Sequence, residues 1–175
     1  EFFVELVPGG QMSELLRQLQ VDDTVSLGSP KGGLRFDDRV PNHLMIATVT
    51  GINPFISMLR DYVHRGQQQS HRMVLMHGAS YQDEFGYRQE LEQMAAAHPD
   101  LLIYRPTVSR PDEPRNQGWT GATGRVDTLV DEALTQHGLG AGDTLAYACG
   151  HSGMLKSVAG QVQPRGFRLE TESYD

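Results

Sequence analysis

Three short segments hold residue types that could bind a phosphorylated cofactor or work on one. The first is Thr48-Val49-Thr50-Gly51-Ile52-Asn53-Pro54, which leads from an apolar run, Leu44 to Thr48, into a helical pattern. A helix N-terminus offers free N–H groups and the positive end of the peptide dipole, so an anion such as a pyrophosphate can rest there. Gly51 would let the backbone come close to it. The same residues also read as an ordinary tight strand–helix turn, and the G-x-G-x-x-G fingerprint is absent. The second segment is Thr107-Val108-Ser109-Arg110. Arg110 and Arg125 could fork onto a dianionic phosphate with Ser109 adding a hydroxyl, although on residue type alone two solvated arginines are the default. The third is Cys149-Gly150-His151-Ser152-Gly153-Met154, where a cysteine followed by two glycines leaves room for a flat ring. A buried structural cysteine is the usual alternative, and His151 is the only nearby group that could favour a thiolate. The seven histidines lack metal-ligand spacing and there is no C-x-x-C, so no metal is expected.

These segments need elements to hold them. From Leu44 onward, strand and helix patterns alternate: strands at 44–48, 73–77, 101–107, 145–149 and 167–172, with helices near 54–64, 82–97, 126–134 and 152–162. Pro54 suits a first helical turn, where its missing N–H costs nothing. Repeated strand–helix units predict an α/β fold: an open, doubly wound, five-stranded parallel sheet with helices on both faces. Ligands of such sheets bind at the carboxyl ends of the strands, where the strand order reverses. All three segments lie at such ends.

The first 40 or so residues read differently. Strands are expected at Phe2 to Val7 and Thr24 to Gly28, flanking a short amphipathic helix with Met12, Leu15, Leu16 and Leu19 at helical spacing. Lys31-Gly32-Gly33 and Asp37-Asp38 are turn chemistry. This block is too small to make a domain by itself. The chain opens on Glu1 instead of Met and reads as part of something longer.

Composition excludes several classes. With 15 Lys+Arg against 22 Asp+Glu the net charge is −7, which gives no footprint for nucleic acid or an anionic membrane. No apolar stretch reaches the roughly 18 residues a membrane span needs. The single cysteine allows no internal disulfide and fits a reducing, cytoplasmic location. The N-terminus lacks the basic start of a signal peptide. Glycine is frequent, 19 of 175 residues, as expected of a backbone with many tight turns or close approaches.

In their order along the chain, the segments resemble the ferredoxin–NADP reductase family. MIATVTGINPFISMLRD resembles the family's nucleotide turn T-G-T-G-(I/L)-(A/S)-P, YACGHSGML its C-G-x-(P/S)-x-M segment, and Glu172-Ser173-Tyr174 its closing E-x-Y. Gly10-Gln11-Met12-Ser13 is similar to the family's G-x-(L/M)-(S/T) segment at the flavin pyrophosphate. The family's flavin-barrel motif, R-x-(Y/F)-(S/T), does not occur. The resemblance therefore implies that residues 1–40 are the last part of a FAD-binding barrel, incomplete, and residues 41–175 an NAD(P)-binding domain.

The resemblance also assigns roles. Thr48, Thr50, Gly51 and Pro54 would meet the pyrophosphate and nicotinamide, with Gly150 and Met154 beside them. Thr107, Ser109, Arg110 and Arg125, the last in a G-R-V segment, would hold the 2′-phosphate of NADP(H). Cys149 would lie beside the nicotinamide C4, Glu172 near the flavin, and Tyr174 would cover the flavin ring; Gly10 and Ser13 would face the flavin pyrophosphate. The implied activity is hydride transfer between NADPH and FAD, with single electrons passing to or from ferredoxin, flavodoxin or a similar carrier. The chain by itself would be inactive for want of the barrel.

Two rivals stand beside this: an NAD-dependent reductase component of an oxygenase, and a nucleotide-binding electron-transfer subunit of a larger complex. Val49 departs from the family's usual Gly and Asn53 from its small Ala or Ser. A β-branched residue resists positive φ, so either the turn stays in the β-region with the pyrophosphate held mainly at Gly51, or nucleotide binding is weakened. Asp175, after Tyr174, bears on whether that ring stacks as it would at a free terminus.

Overall fold

The computed structural model describes residues 1–29, 32–66 and 71–174; the expectations for Lys31 and Asp175 lie outside them. Two compact units emerge, Glu1–Gly32 and Gly33–Asp175. Among its described residues the first holds one helix, α1 (Gln11–Gln18). Its entry is closed by the Ser13 hydroxyl, which accepts the Val7 N–H at 2.8 Å. The strands expected at Phe2 to Val7 and Thr24 to Gly28 are not formed. A strand is a pairing, and apolar alternation without a ladder partner leaves its backbone groups to water. Phe2, Val4, Leu6, Met12, Leu15, Leu19, Val25 and Leu27 are accordingly exposed.

The second unit is built on β1 (Asn42–Thr48), followed by a 3₁₀ turn (Val49–Ile52) and α2 (Asn53–His64). Then come β2 (Arg72–Ala79), α3 (Arg88–Ala97), β3 (Leu102–Val108) and β4 (Ala122–Thr123). The chain finishes through α4 (Val130–Gln136), β5 (Thr144–Gly150), α5 (Ser152–Val162) and β6 (Arg168–Ser173). All strand pairs are parallel, in the order β4-β3-β2-β1-β5-β6. The chain thus works outward from β1 on one side, then crosses back to lay β5 on the other. The order reverses between β1 and β5.

Side chains alternate across each strand, so the central strands bury both faces. Leu44, Ile46, Val74, Met76, Ala146 and Ala148 pack with Val130, Ala133 and Leu134 of α4 and with Met154, Val158 and Val162 of α5. His43, Met45, Ala47, Leu75, His77, Tyr147 and Cys149 occupy the alternate positions and are also buried. On that face the Phe55 ring of α2 meets Tyr147 edge-on at 6.4 Å. α3 is tied to α2 by a bidentate pair, Arg60 to Glu90, at 2.7 Å. The stretch before β1 is pinned to the same unit: the Glu172 carboxylate accepts the Gly33 N–H at 2.9 Å, and the Tyr147 hydroxyl accepts that of Asp37 at 3.1 Å.

Three details differ from the sequence reading. The sheet has six strands, because the loop after β3 returns as the two-residue β4, too short to leave an apolar pattern. The helix expected over 82–97 is broken: a 3₁₀ turn covers Gln82–Glu84, Phe85 is extended, and Tyr87 has φ 60° before α3 begins. Phe85 leaves the helical path to pack edge-on against His77 at 4.9 Å and to stack on Trp119 at 5.5 Å, so tertiary packing overrides periodicity. The helix expected from Val126 likewise starts as a 3₁₀ turn, Val126–Leu129. Among the described residues no helix is long and apolar enough to cross a membrane.

Candidate functional site

A crevice of about 350 Å³ opens where the strand order reverses. Its walls are Thr48 and Val49 after β1, Gly78 to Ser80 at the end of β2, Ser109 after β3, Arg125 to Asp127 before α4, and His151, Gly153 and Met154 at the start of α5. This is where an open parallel sheet binds its ligand.

The floor is made of close backbone approaches. A Cβ on Gly51 would lie 2.1 Å from the Cys149 carbonyl oxygen, so the approach that demands glycine here is to protein backbone. Gly150 has φ 140°, and a Cβ there would lie 2.0 Å from Thr48 Oγ1. Thr48 Oγ1 accepts the His151 N–H at 3.3 Å, which joins the ends of β1 and β5. Two helices begin beside this floor. No side chain caps α2, whose first turn carries Pro54. At α5 the His151 Nδ1 accepts the Gly153 N–H at 3.0 Å, which commits that ring nitrogen to capping. Thr50 is half-buried in the 3₁₀ turn.

Val49 has φ 43°. The turn therefore leaves the β-region, contrary to the first of the two alternatives for this residue. Left-handed backbone on a β-branched residue costs on the order of 1–3 kcal/mol and persists only where surroundings enforce it. Here His77 Nε2 donates to the Val49 carbonyl at 3.0 Å, from a ring with no solvent exposure.

The rim carries the charge. Ser109 and Arg125 line the crevice. Arg125 is exposed, with its Nε 3.3 Å from Asp127 Oδ1. Arg110 turns instead to the Tyr81 hydroxyl at 2.8 Å, with Glu113 at 3.5 Å, so it is not among the crevice walls. Thr107 is buried and its hydroxyl donates to the Gly124 carbonyl at 2.9 Å.

Beneath the floor, Cys149 is fully buried and pairs in register with Glu172 on β6. Burial pushes its thiol up to about 11, while a hydrogen bond with Tyr174 works the other way. That shift disfavours the thiolate, the reactive form of a cysteine. Tyr174 is 49% exposed, at the end of β6. Gly10 and Ser13 belong to the first unit, at the start of α1. Among the described residues no group of three or more His, Cys, Asp or Glu could hold a metal ion.

Asp127, Gly78, Ser80 and His77 were not singled out from sequence. The signal available for His77 was its place as the one ionisable residue inside the apolar run Met73 to Ala79, since buried polar residues are rare without a reason. Gly78 lies within β2, and Ser80 and Asp127 sit in turns of ordinary composition.

The crevice fits a dinucleotide: two helix starts, one uncapped by side chains, a hydroxyl and a guanidinium converge on a concave site at the switch point. The model of the oxidoreductase NAD-binding domain family matches residues 45–160. The chain is 32% identical over 179 residues to ferredoxin–NADP reductase B of Sorangium cellulosum, covering 98% of this chain and 70% of that protein. It is 27% identical over 173 residues to NADH-cytochrome b5 reductase 1 of Neosartorya fischeri, covering 95% of this chain but 53% of that one. The chain thus spans about half the length of the cytochrome b5 reductases that it matches. In fold it is similar to a ferredoxin NADP+ reductase from Neisseria gonorrhoeae with bound FAD and NADP, with a TM-score of 0.76 and 23% identity over 96% of this chain and 71% of that one. The chain belongs to the ferredoxin–NADP reductase family and carries its oxidoreductase NAD-binding domain.

Proposed function

We propose that this chain is the NADP(H)-binding part of a flavin-dependent oxidoreductase that passes hydride between NADPH and FAD, and electrons to or from ferredoxin, flavodoxin or a similar one-electron carrier. The observation that carries the reading is the crevice at the strand-order reversal, with Ser109 and Arg125 on its rim and the Cys149–Gly150 backbone in its floor. When bound, nicotinamide and flavin supply the redox chemistry. The residues of this chain orient them. Thr48, Gly150 and Met154 shape a flat floor, the starts of α2 and α5 offer N–H groups to the pyrophosphate, and Ser109 and Arg125 select the 2′-phosphate. Cys149 acts as a neutral, tightly packed neighbour of the nicotinamide, with the Glu172 carboxylate and the Tyr174 ring on the flavin side.

Residues 1–40 are read as the end of the FAD-binding barrel, with Gly10 and Ser13 toward the flavin pyrophosphate. The row of exposed apolar residues in the first unit supports this, because a barrel strand would bury one face of that row. The lone buried cysteine is compatible with a cytoplasmic location.

A second reading has its own observation. Asp127 sits 3.3 Å from Arg125, and Arg110 is engaged by Tyr81 and Glu113, an acidic setting for a 2′-phosphate. That arrangement favours an NAD(H)-dependent reductase, for example one feeding an oxygenase. Calorimetric titration with 2′-phospho-AMP and AMP separates the two. Binding at least about tenfold tighter for the phosphorylated ligand is expected from charge-assisted bonds; equal affinity would transfer the reading to NAD(H). Rapid mixing of the full-length protein with NADPH should bleach its flavin absorbance, and an unbleached flavin would overturn the hydride-transfer reading.

A further inference from the structure

The Val49 backbone is held in a conformation its side chain resists, and the holder is visible. At φ 43° it is the only β-branched residue among the three non-glycine residues described with positive φ, the others being Asp22 and Tyr87. Its carbonyl accepts from His77 Nε2 at 3.0 Å, a contact between residues 28 positions apart. A carbonyl can only accept, so Nε2 carries the proton and Nδ1 is left as an acceptor. Nδ1 lies 3.1 Å from the Tyr104 hydroxyl, which must then donate to it. The Phe85 ring, edge-on at 4.9 Å, fixes the imidazole plane from another side. Both ring nitrogens are thus committed and the tautomer is determined. Burial, which holds the ring's pKa down at about 4, keeps it neutral through the physiological range.

The consequence lies on the other side of the peptide. In a trans peptide the carbonyl of Val49 and the N–H of Thr50 point in opposite directions. Drawing the carbonyl inward to His77 therefore turns the Thr50 N–H away from the interior, at the start of a 3₁₀ turn that offers it no acceptor of its own. Were the peptide to flip, an anion at this turn would face a carbonyl oxygen.

We propose that His77 is a positioning residue for nucleotide binding: by clamping the Val49 carbonyl it keeps a β-branched residue left-handed, so that the turn between β1 and α2 presents an N–H to the pyrophosphate. The inference rests on the nucleotide reading above. Val49 and His77 then form a coupled pair, because a glycine at 49 would hold positive φ without a clamp.

The test is a double-mutant cycle on the full-length protein, with NADP+ and NAD+ affinities measured by calorimetry and thermal melts run alongside. In the Val49 background, His77→Phe, which keeps a ring but removes both hydrogen bonds, should weaken the better-bound nucleotide by about tenfold. His77→Gln, which retains a donor toward the carbonyl, should recover most of that loss. Val49→Gly should tighten binding severalfold, and in that background His77→Phe should cost less than about twofold. Where His77→Phe does not accumulate, Tyr104→Phe repeats the cycle with a milder lesion. An undiminished affinity in His77→Phe, or the same penalty in both backgrounds, overturns the clamp and leaves the nucleotide reading standing. If the unsubstituted protein binds neither nucleotide, both fall.

Discussion

The floor and the rim of the crevice are built by opposite means. The floor, at Thr48 to Gly51 and Cys149 to Gly150, consists of backbone held at close quarters, with glycine at its two tightest approaches, Cys149 buried and Thr48, Val49 and Thr50 half-buried. The rim consists of side chains: half-buried Ser109 and exposed Arg125, the latter beside Asp127, while Arg110 turns away from the crevice to Tyr81 and Glu113. On the proposed reading, a floor of this kind would meet what every nicotinamide dinucleotide shares, the pyrophosphate and the flat ring. On the same reading, discrimination between NADP(H) and NAD(H) would fall to the rim. The two regions should therefore fail differently when perturbed.

The largest effect is expected at Gly51. With a Cβ 2.1 Å from backbone that cannot move aside, Gly51→Ala should cost roughly 3 kcal/mol or more of stability, read as a shifted denaturation midpoint, and should abolish nucleotide binding. A stable, binding-competent Gly51→Ala protein would mean the two strand ends are not locked together.

Acid comes next. Burial holds His77 and His43 at about 4, below the ordinary value of 6.5. The folded state binds fewer protons than the unfolded state between those values. The stabilising contribution is therefore complete above pH 6.5 and is lost as pH falls toward 4, on the order of 1–3 kcal/mol per fully buried ring. Chemical denaturation at pH 7, 6 and 5 should show the decline, and His77→Gln should flatten it.

A smaller effect, confined to specificity, is expected for Arg125→Ala. The advantage of 2′-phospho-AMP over AMP should shrink about tenfold while AMP affinity and the melting temperature stay put. A parallel loss of AMP binding would show that Arg125 belongs functionally to the floor. The smallest change is expected from Val49→Gly, which should stabilise the fold by about 1 kcal/mol as strain is relieved, partly offset by glycine's greater unfolded-state entropy.

Much of the second unit was legible from one sequence. The alternation of apolar runs and helical periods marks β1, β2, β3, β5, β6 and their helices, and the parallel-sheet rule puts a ligand crevice at the carboxyl ends of these strands. What escaped had a tertiary cause. β4 is two residues defined by pairing with β3, and Phe85 leaves its helix for partners at His77 and Trp119. In the first unit Phe2, Val4 and Leu6 alternate as a strand would, but alternation is only half of a strand.

The sequence by itself determined the order of elements and the identity of the groups that end up near the crevice, because periodicity and turn chemistry act over a few residues. The tertiary structure alone decided their states. Gly51 needs to be glycine because of Cys149, 98 positions away, and Arg110 faces Tyr81 instead of the crevice. Burial around Cys149 disfavours its thiolate. Val49 is left-handed in a turn where His77 holds its carbonyl from the neighbouring strand. Each is an effect of atoms brought within a few ångströms by the fold, and no local pattern in the chain encodes that distance.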